Sequence, residues 1–183
     1  VYAGQVGQEI AKIEIREFLA DTFIDGRTIT LTLPSEAKWY KVDGTLIDDL
    51  DNGDQLDSDA GNRLVYAGLI GSDDQTLKLK VTGTGSSDKA ELVLEDCEIA
   101  TKQGYKGKIQ VTVGGSQGLD GEFDVADCVS VVSIEASSKP QVKIGLRSQA
   151  IGDFTITETV AGSISDETPS GGTTYLILDA PDG

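Results

Sequence analysis

Apolar and polar residues alternate with a period of two along most of this chain. Ile13 and Ile15 alternate with Lys12, Glu14 and Arg16, and Ile29, Leu31 and Leu33 with Thr28, Thr30 and Thr32. The pattern recurs at Leu77, Leu79 and Val81, at Ile109, Val111 and Val113, at Val142, Ile144 and Leu146, and at Phe154 and Ile156. Successive side chains of a strand point to opposite faces, so each run predicts a strand with one buried and one wet face. Strands of that kind build antiparallel sheets. Asp25-Gly26, Asp43-Gly44, Asn52-Gly53 and Asp120-Gly121 supply turn chemistry between the runs. Residues 71–74 (GSDD) read as a hairpin loop and residues 83–87 (GTGSS) as a flexible connector. No stretch sustains a 3.6-residue stripe; residues 9–20 include helix formers, but their alternation prevails. The expected fold is all-β, an antiparallel β-sandwich of immunoglobulin-like or jelly-roll-like kind, with terminal strands available for strand complementation between subunits.

A longer period overlies the short one. Residues 8–23 (QEIAKIEIREFLADTF) align without gaps with residues 149–164 (QAIGDFTITETVAGSI). Gln8 matches Gln149, Ile10 matches Ile151, Ile15 matches Ile156, Glu17 matches Glu158 and Ala20 matches Ala161. Apolar character coincides at Ile13 and Phe154, and at Phe23 and Ile164. Residues 28–34 (TITLTLP) then match residues 175–181 (YLILDAP), and both end in a Pro that suits a strand exit. The organisation expected is a complete module over residues 1–146, followed by a partial second repeat of two strands over residues 147–183. A two-stranded fragment cannot bury its apolar face alone, and its edges carry unpaired backbone groups. The expectation is that it takes in a neighbour the place that residues 9–34 take in their own sheet. Phe154, Ile156, Leu176 and Leu178 are the candidate assembly residues, and Ile13, Ile15, Ile29 and Leu31 the candidate counterparts. Such contacts are heterologous, and heterologous contacts that do not close make filaments.

Composition narrows the function. The 183 residues contain no His, which excludes Ser-His-Asp triads, Cys-His dyads and His-ligated zinc or copper. Carboxylate-pair and lysine chemistry remain, but no constellation singles out any pair. No enzymatic activity and no cofactor are expected. Residues 48–62 (DDLDNGDQLDSDAGN) are the most acidic stretch, yet Leu50 stands where a calcium loop built around Gly53 needs an oxygen ligand, so a solvated loop is expected and no metal site. The net charge of −16 opposes nucleic acid and anionic lipid as partners. No apolar run approaches the roughly 20 residues of a membrane span, so no membrane insertion is expected.

The chain begins at Val1 and holds no Met, which reads as a processed start with a signal peptide removed, and so as an extracellular location. In that setting Cys97 and Cys128 read as a disulfide, worth about 3–4 kcal/mol in the chain-entropy picture; two buried free thiols are the other reading. Asn52 and Asn62 lack the N-x-[ST] context of glycosylation.

Residues 139–158 (KPQVKIGLRSQAIGDFTITE) resemble a recurring segment of bacterial cell-surface proteins, and residues 25–34 (DGRTITLTLP), 89–97 (KAELVLEDC) and 107–114 (GKIQVTVG) resemble the preceding strands of the same module. The similar proteins are S-layer-like repeat proteins that carry a copper-amine-oxidase N-terminal-like domain, mainly from thermophilic, anaerobic Gram-positive bacteria. The resemblance implies export and a structural or wall-associated role, with no oxidase activity.

Two functions follow as expectations. One is a structural subunit of an extracellular filament or surface layer whose partner is a further copy of itself. The other is a cell-surface binding module for adhesion or for a cell-wall polymer, with Trp39 and Tyr40 as a small stacking patch. As a lone Trp, Trp39 suits a core or interface position better than such a patch.

Overall fold

A computed structural model describes residues 1–54, 56, 64–71, 74–83, 89 and 91–161. In chain order its strands are β1 (Gln8–Glu9), β2 (Ile13–Arg16), β3 (Thr28–Thr32), β4 (Ala37–Val42), β5 (Thr45–Leu46), β6 (Leu64–Ile70), β7 (Thr76–Val81), β8 (Glu91–Leu94), β9 (Glu98–Thr101), β10 (Gly107–Gly114), β11 (Gly121–Cys128), β12 (Val132–Ala136) and β13 (Phe154–Glu158). One 3-10 turn spans Ile47–Asp49. The protein is all-β, and its sheets are antiparallel and open, as the alternation predicts. The chain divides into two compact units, Val1–Val129 and Ser130–Gly183.

The first unit is a β-sandwich. One sheet runs β11-β10-β3-β7-β6, a second runs β1-β9-β4-β5, and β2 pairs with β8. Strand β3 shows how the pattern builds it. Ile29 and Leu31 are fully buried, while Thr28, Thr30 and Thr32 are half-buried between them. Ile29 lies opposite Leu79 and Leu31 opposite Leu77 on β7, and Val113 of β10 lies opposite Leu31 on the other edge. Directly opposed apolar side chains of this kind are the unit of sheet stabilisation. Trp39 of β4 is 1% exposed, and its indole N–H donates to the Leu31 carbonyl at 3.3 Å. That bond ties the two large sheets together across the core. It also removes Trp39 from any stacking patch with Tyr40. The Asp43-Gly44 pair turns β4 into β5 with φ of 51° and 70°, the positive values that a two-residue hairpin turn requires.

The second unit has no such core among its described residues. Its described residues include β12 and β13 paired antiparallel, with Ile134 opposite Ile156 and Ala136 opposite Phe154. Because β12 pairs with β13, residues 130–146 fall with the second unit rather than with the 1–146 module read from the sequence. The strand predicted at Val142, Ile144 and Leu146 is a turn instead, for a reason given below. Strands β2 and β3 do not form a pair, as the two-strand repeat implied: β2 lies on β8, and β3 lies between β10 and β7. Leu176, Leu178 and the rest of residues 162–183 lie outside the described residues, as do residues 55 and 57–62 of the acidic loop.

The buried pairing at the centre of β3 gives a direct test. Leu31→Ala removes a fully buried side chain from beneath Trp39 and should destabilise the first unit by about 2–5 kcal/mol. Urea unfolding followed by fluorescence of the lone Trp will measure it, and a loss under 1 kcal/mol would contradict this account of the core.

Candidate functional site

Residues 1–20 form an opening arm laid along the edge of the first unit. Ahead of β1 the chain turns twice, at Gly4 and Gly7, whose φ values are 76° and 70°. Only glycine adopts such angles without a steric penalty. The Gln8 side chain holds this double turn. Its carbonyl accepts the Tyr2 N–H. Its amide donates to the Tyr2 carbonyl six residues back at 2.9 Å, and to the Gln5 carbonyl three residues back at 3.2 Å.

Two parts of the sandwich receive the arm. On one side Ile10 donates to the Cys97 carbonyl at 3.0 Å, β1 pairs with β9, and β2 pairs with β8 from Ile13 opposite Leu94 to Arg16 opposite Glu91. On the other, Ala11 donates to the Val125 carbonyl at 2.9 Å, Ala3 donates to the Val129 carbonyl at 2.9 Å, and the Val1 ammonium donates to Asp127 O at 2.9 Å. Glu17 closes the arm: its buried carboxylate accepts the Phe23 N–H and the Thr22 hydroxyl, fixing the turn that leads to β3.

The second unit carries the same arm. Gln149 accepts the Lys143 N–H at 2.5 Å and donates to the Lys143 carbonyl, six residues back, at 2.8 Å and to the Leu146 carbonyl, three residues back, at 2.9 Å. Gly145 has φ 82° and Ser148 φ 57°, matching Gly4 and Gly7. Even the 3.4 Å backbone bond from Gln5 to Tyr2 recurs from Leu146 to Lys143. This clamp is why Val142, Ile144 and Leu146 turn rather than extend. The match therefore starts at Val1 and Val142, earlier than the sequence alignment placed it. The signal was present as Gly4, Gly7 and Gln8 against Gly145, Ser148 and Gln149.

The two arms differ in what covers them. Ala3, Ile10 and Ile13 are 4%, 7% and 1% exposed, whereas their counterparts Ile144, Ile151 and Phe154 are 105%, 77% and 41% exposed. Of the candidate assembly residues, Phe154 is thus open and Ile156 half-buried, both on β13. Of the counterparts, Ile13 is buried and Ile15 half-buried on β2, while Ile29 and Leu31 lie inside a sheet with both strand edges paired. Charge also differs. Lys12 pairs with Glu14 at 2.7 Å and Glu95 at 3.5 Å, and Arg16 pairs with Glu14 at 3.0 Å and with Glu91. Hydrogen bonding from Lys12, then the nearby Arg16 charge, hold the Glu14 carboxyl below its ordinary range. The second arm has Asp153, Thr155 and Thr157 at the positions of Lys12, Glu14 and Arg16.

Cys97 and Cys128 are buried free thiols, so the disulfide expected from their even number is not formed in the structure. Cys128 Sγ–H donates to the Tyr105 carbonyl at 3.6 Å. Burial pushes the Cys97 thiol up to about 11 from its ordinary 9.0. Among the described residues no group of three or more Cys, Asp or Glu side chains could hold a metal ion, and no helix is long and apolar enough to cross a membrane. Comparison with protein families, curated proteins and solved structures finds no match to this chain.

Two outcomes test the site. Gln8→Ala removes the clamp of the seated arm and should cost the first unit about 1–3 kcal/mol in urea unfolding, while Gln149→Ala leaves the Trp39 signal unchanged. The Cys97 thiol binds its proton more tightly folded than unfolded. Its contribution to stability is therefore complete below about pH 9 and is lost as pH rises toward about 11, by up to about 2–3 kcal/mol. Unfolding curves across that range should show the decline, and Cys97→Ala should lack this part of it.

Proposed function

We propose that this chain is a structural subunit of an extracellular filament or surface layer, polymerising head to tail by strand addition. The observation that carries the reading is the second arm: a pre-shaped copy of a segment that is buried in the first unit, standing with Ile144, Ile151 and Phe154 exposed. Exposed apolar residues on a strand with an incomplete sheet mark an association surface. A like module is the natural receiver, because the first unit shows what covers the same arm. The resemblance of residues 139–158 to repeats of bacterial surface proteins points the same way, as does the absence of His from any candidate chemistry. Secretion is part of the proposal.

Receiver and donor are different surfaces of one subunit, so the contact is heterologous and propagates. Each receiving seat is already filled by its own opening arm. Addition therefore proceeds by exchange, with the incoming arm replacing residues 1–20. The second arm brings larger apolar side chains at two positions, Ile144 for Ala3 and Phe154 for Ile13. It gives up the ion pairs of Lys12 and Arg16, which are exposed and worth little.

Electron microscopy and light scattering of the concentrated chain test the reading. Fibres or sheets are expected, and Phe154→Asp should abolish them while the Trp39 unfolding transition stays in place. A chain that remains monomeric under all conditions sinks the proposal. Loss of the Trp39 transition together with assembly would instead make Phe154 a requirement for folding of the first unit and overturn its role in assembly.

A further inference from the structure

Strand β12 takes, in the second unit, the edge of the arm that β8 takes in the first. The hydrogen-bond pattern shows this. An antiparallel pair alternates between residues that exchange backbone bonds and residues that do not, so every second residue of a strand faces a given neighbour. In the first unit Ile10 donates to the Cys97 carbonyl, in line with the β2–β8 register of Ile13 opposite Leu94. Ile10, Lys12, Glu14 and Arg16 therefore direct their backbone bonds to the β8 side. In the second unit Ser137 donates to the Asp153 carbonyl and Thr159 to the Val131 carbonyl, so Asp153, Thr155, Thr157 and Thr159 direct theirs to β12. Asp153, Thr155 and Thr157 correspond to Lys12, Glu14 and Arg16. The two neighbours are on the same edge.

We infer that β12 is a placeholder for β8: it guards the edge of the second arm until a second copy's β8–β9 edge replaces it. This rests on the strand-exchange reading above and names its guarded interface. The occupant follows from the template, since β8, β9 and the end of β11 already hold an arm with the same double turn, the same glutamine clamp and the same strand. The guard is weak. A two-stranded ladder with Ile134 at 50% and Phe154 at 41% exposure has no core to hold it among the described residues, and isolated ladders are marginal in water. It is nonetheless a cover, and a covered edge is one way in which proteins prevent indiscriminate pairing.

The test uses two variants that lack residues 1–20 and keep the rest of the chain. The receiver lacks residues 1–20, which empties the seat, and carries Phe154→Asp, which disables its own second arm. Peptides corresponding to residues 1–20 and to residues 142–161 are added separately. Both are expected to restore the cooperative Trp39 transition and to protect the amides of Glu91 and Val93, which lie opposite Arg16 and Glu14 in the bonded pairs, from hydrogen exchange. Restoration by the first peptide alone overturns the equivalence of the arms. Restoration by neither overturns exchange altogether, whether or not the unliganded receiver folds.

The guard is tested by Glu135→Pro in a chain that lacks residues 1–20 but keeps its own Phe154. Glu135 lies opposite Thr155 in a bonded pair, so Pro removes a central bond of the β12–β13 ladder. Self-association, measured by sedimentation, should tighten at least about tenfold, which is 1.4 kcal/mol. Unchanged or weaker association means that β12 is not a competitor for the arm. These readouts report arm seating itself, so the absence of fibres from the unaltered chain would count against the filament reading and leave them intact.

Discussion

The backbone hydrogen bonds that seat residues 1–20 are the constraint on which the first unit depends. The arm supplies donors to the carbonyls of Cys97, Val125 and Val129, which belong to two different parts of the sandwich. Cys97 and Val125 are buried, and a buried carbonyl left without a donor is costly, so the first unit depends on the arm. The arm also delivers Ala3, Ile10 and Ile13 into the core, and Glu17 holds the turn that follows the arm and leads to the buried Phe23. The arm's own shape comes from elsewhere. It is fixed locally by one glutamine side chain and two residues in the left-handed region, and for that reason it persists in the second unit, where Ile144, Ile151 and Phe154 stand exposed. Local sequence sets the shape of the arm; the receiver sets its burial.

That separation explains what could be read in the sequence. Strands β3, β7, β10 and β13 were legible because each keeps an unbroken alternation. Strand β4 was not, because a register shift between Trp39 and Lys41 breaks the period and puts Val42, rather than Lys41, into the core. Strand β9 buries Ile99, Ala100 and Thr101 consecutively, and β6 buries Leu64, Val65 and Tyr66, so neither shows a period at all. The run Val142, Ile144, Leu146 has the period of a strand but the glycine and glutamine spacing of a clamped turn. Side-chain hydrogen bonds to nearby backbone compete with strand pairing, and hydropathy does not register them. Sheet order was also beyond reach, since β3 meets β10 and β7 across long separations in sequence.

The candidate site was legible in outline. The matches of Gln8 with Gln149 and Glu17 with Glu158 flagged the repeat, and the structure gives the first of these a cause in the clamp and the Glu17 side of the second a cause in the turn toward Phe23. The sequence does not show that the repeat begins at Val1, since the alternation of Val142, Ile144 and Leu146 reads as a strand of its own. Nor could it show that the repeated strand and β3 join separate sheets, because nothing in a strand's own alternation names its neighbour.

Net charge constrains how subunits of this kind can meet. At −16 each, two copies repel at long range, and broad electrostatic complementarity cannot bring them together. An interface must then rest on short-range terms that ignore charge sign, namely backbone hydrogen bonds and apolar burial. A strand edge offers both. The second arm has uncharged Thr155 and Thr157 where the first arm has Glu14 and Arg16, so these two positions bring no charge to the contact. Its one poor match is Asp153, which at the Lys12 position would face Glu95. Such a contact is exposed and screened within about 8–10 Å at moderate salt, so added salt should favour arm exchange rather than oppose it.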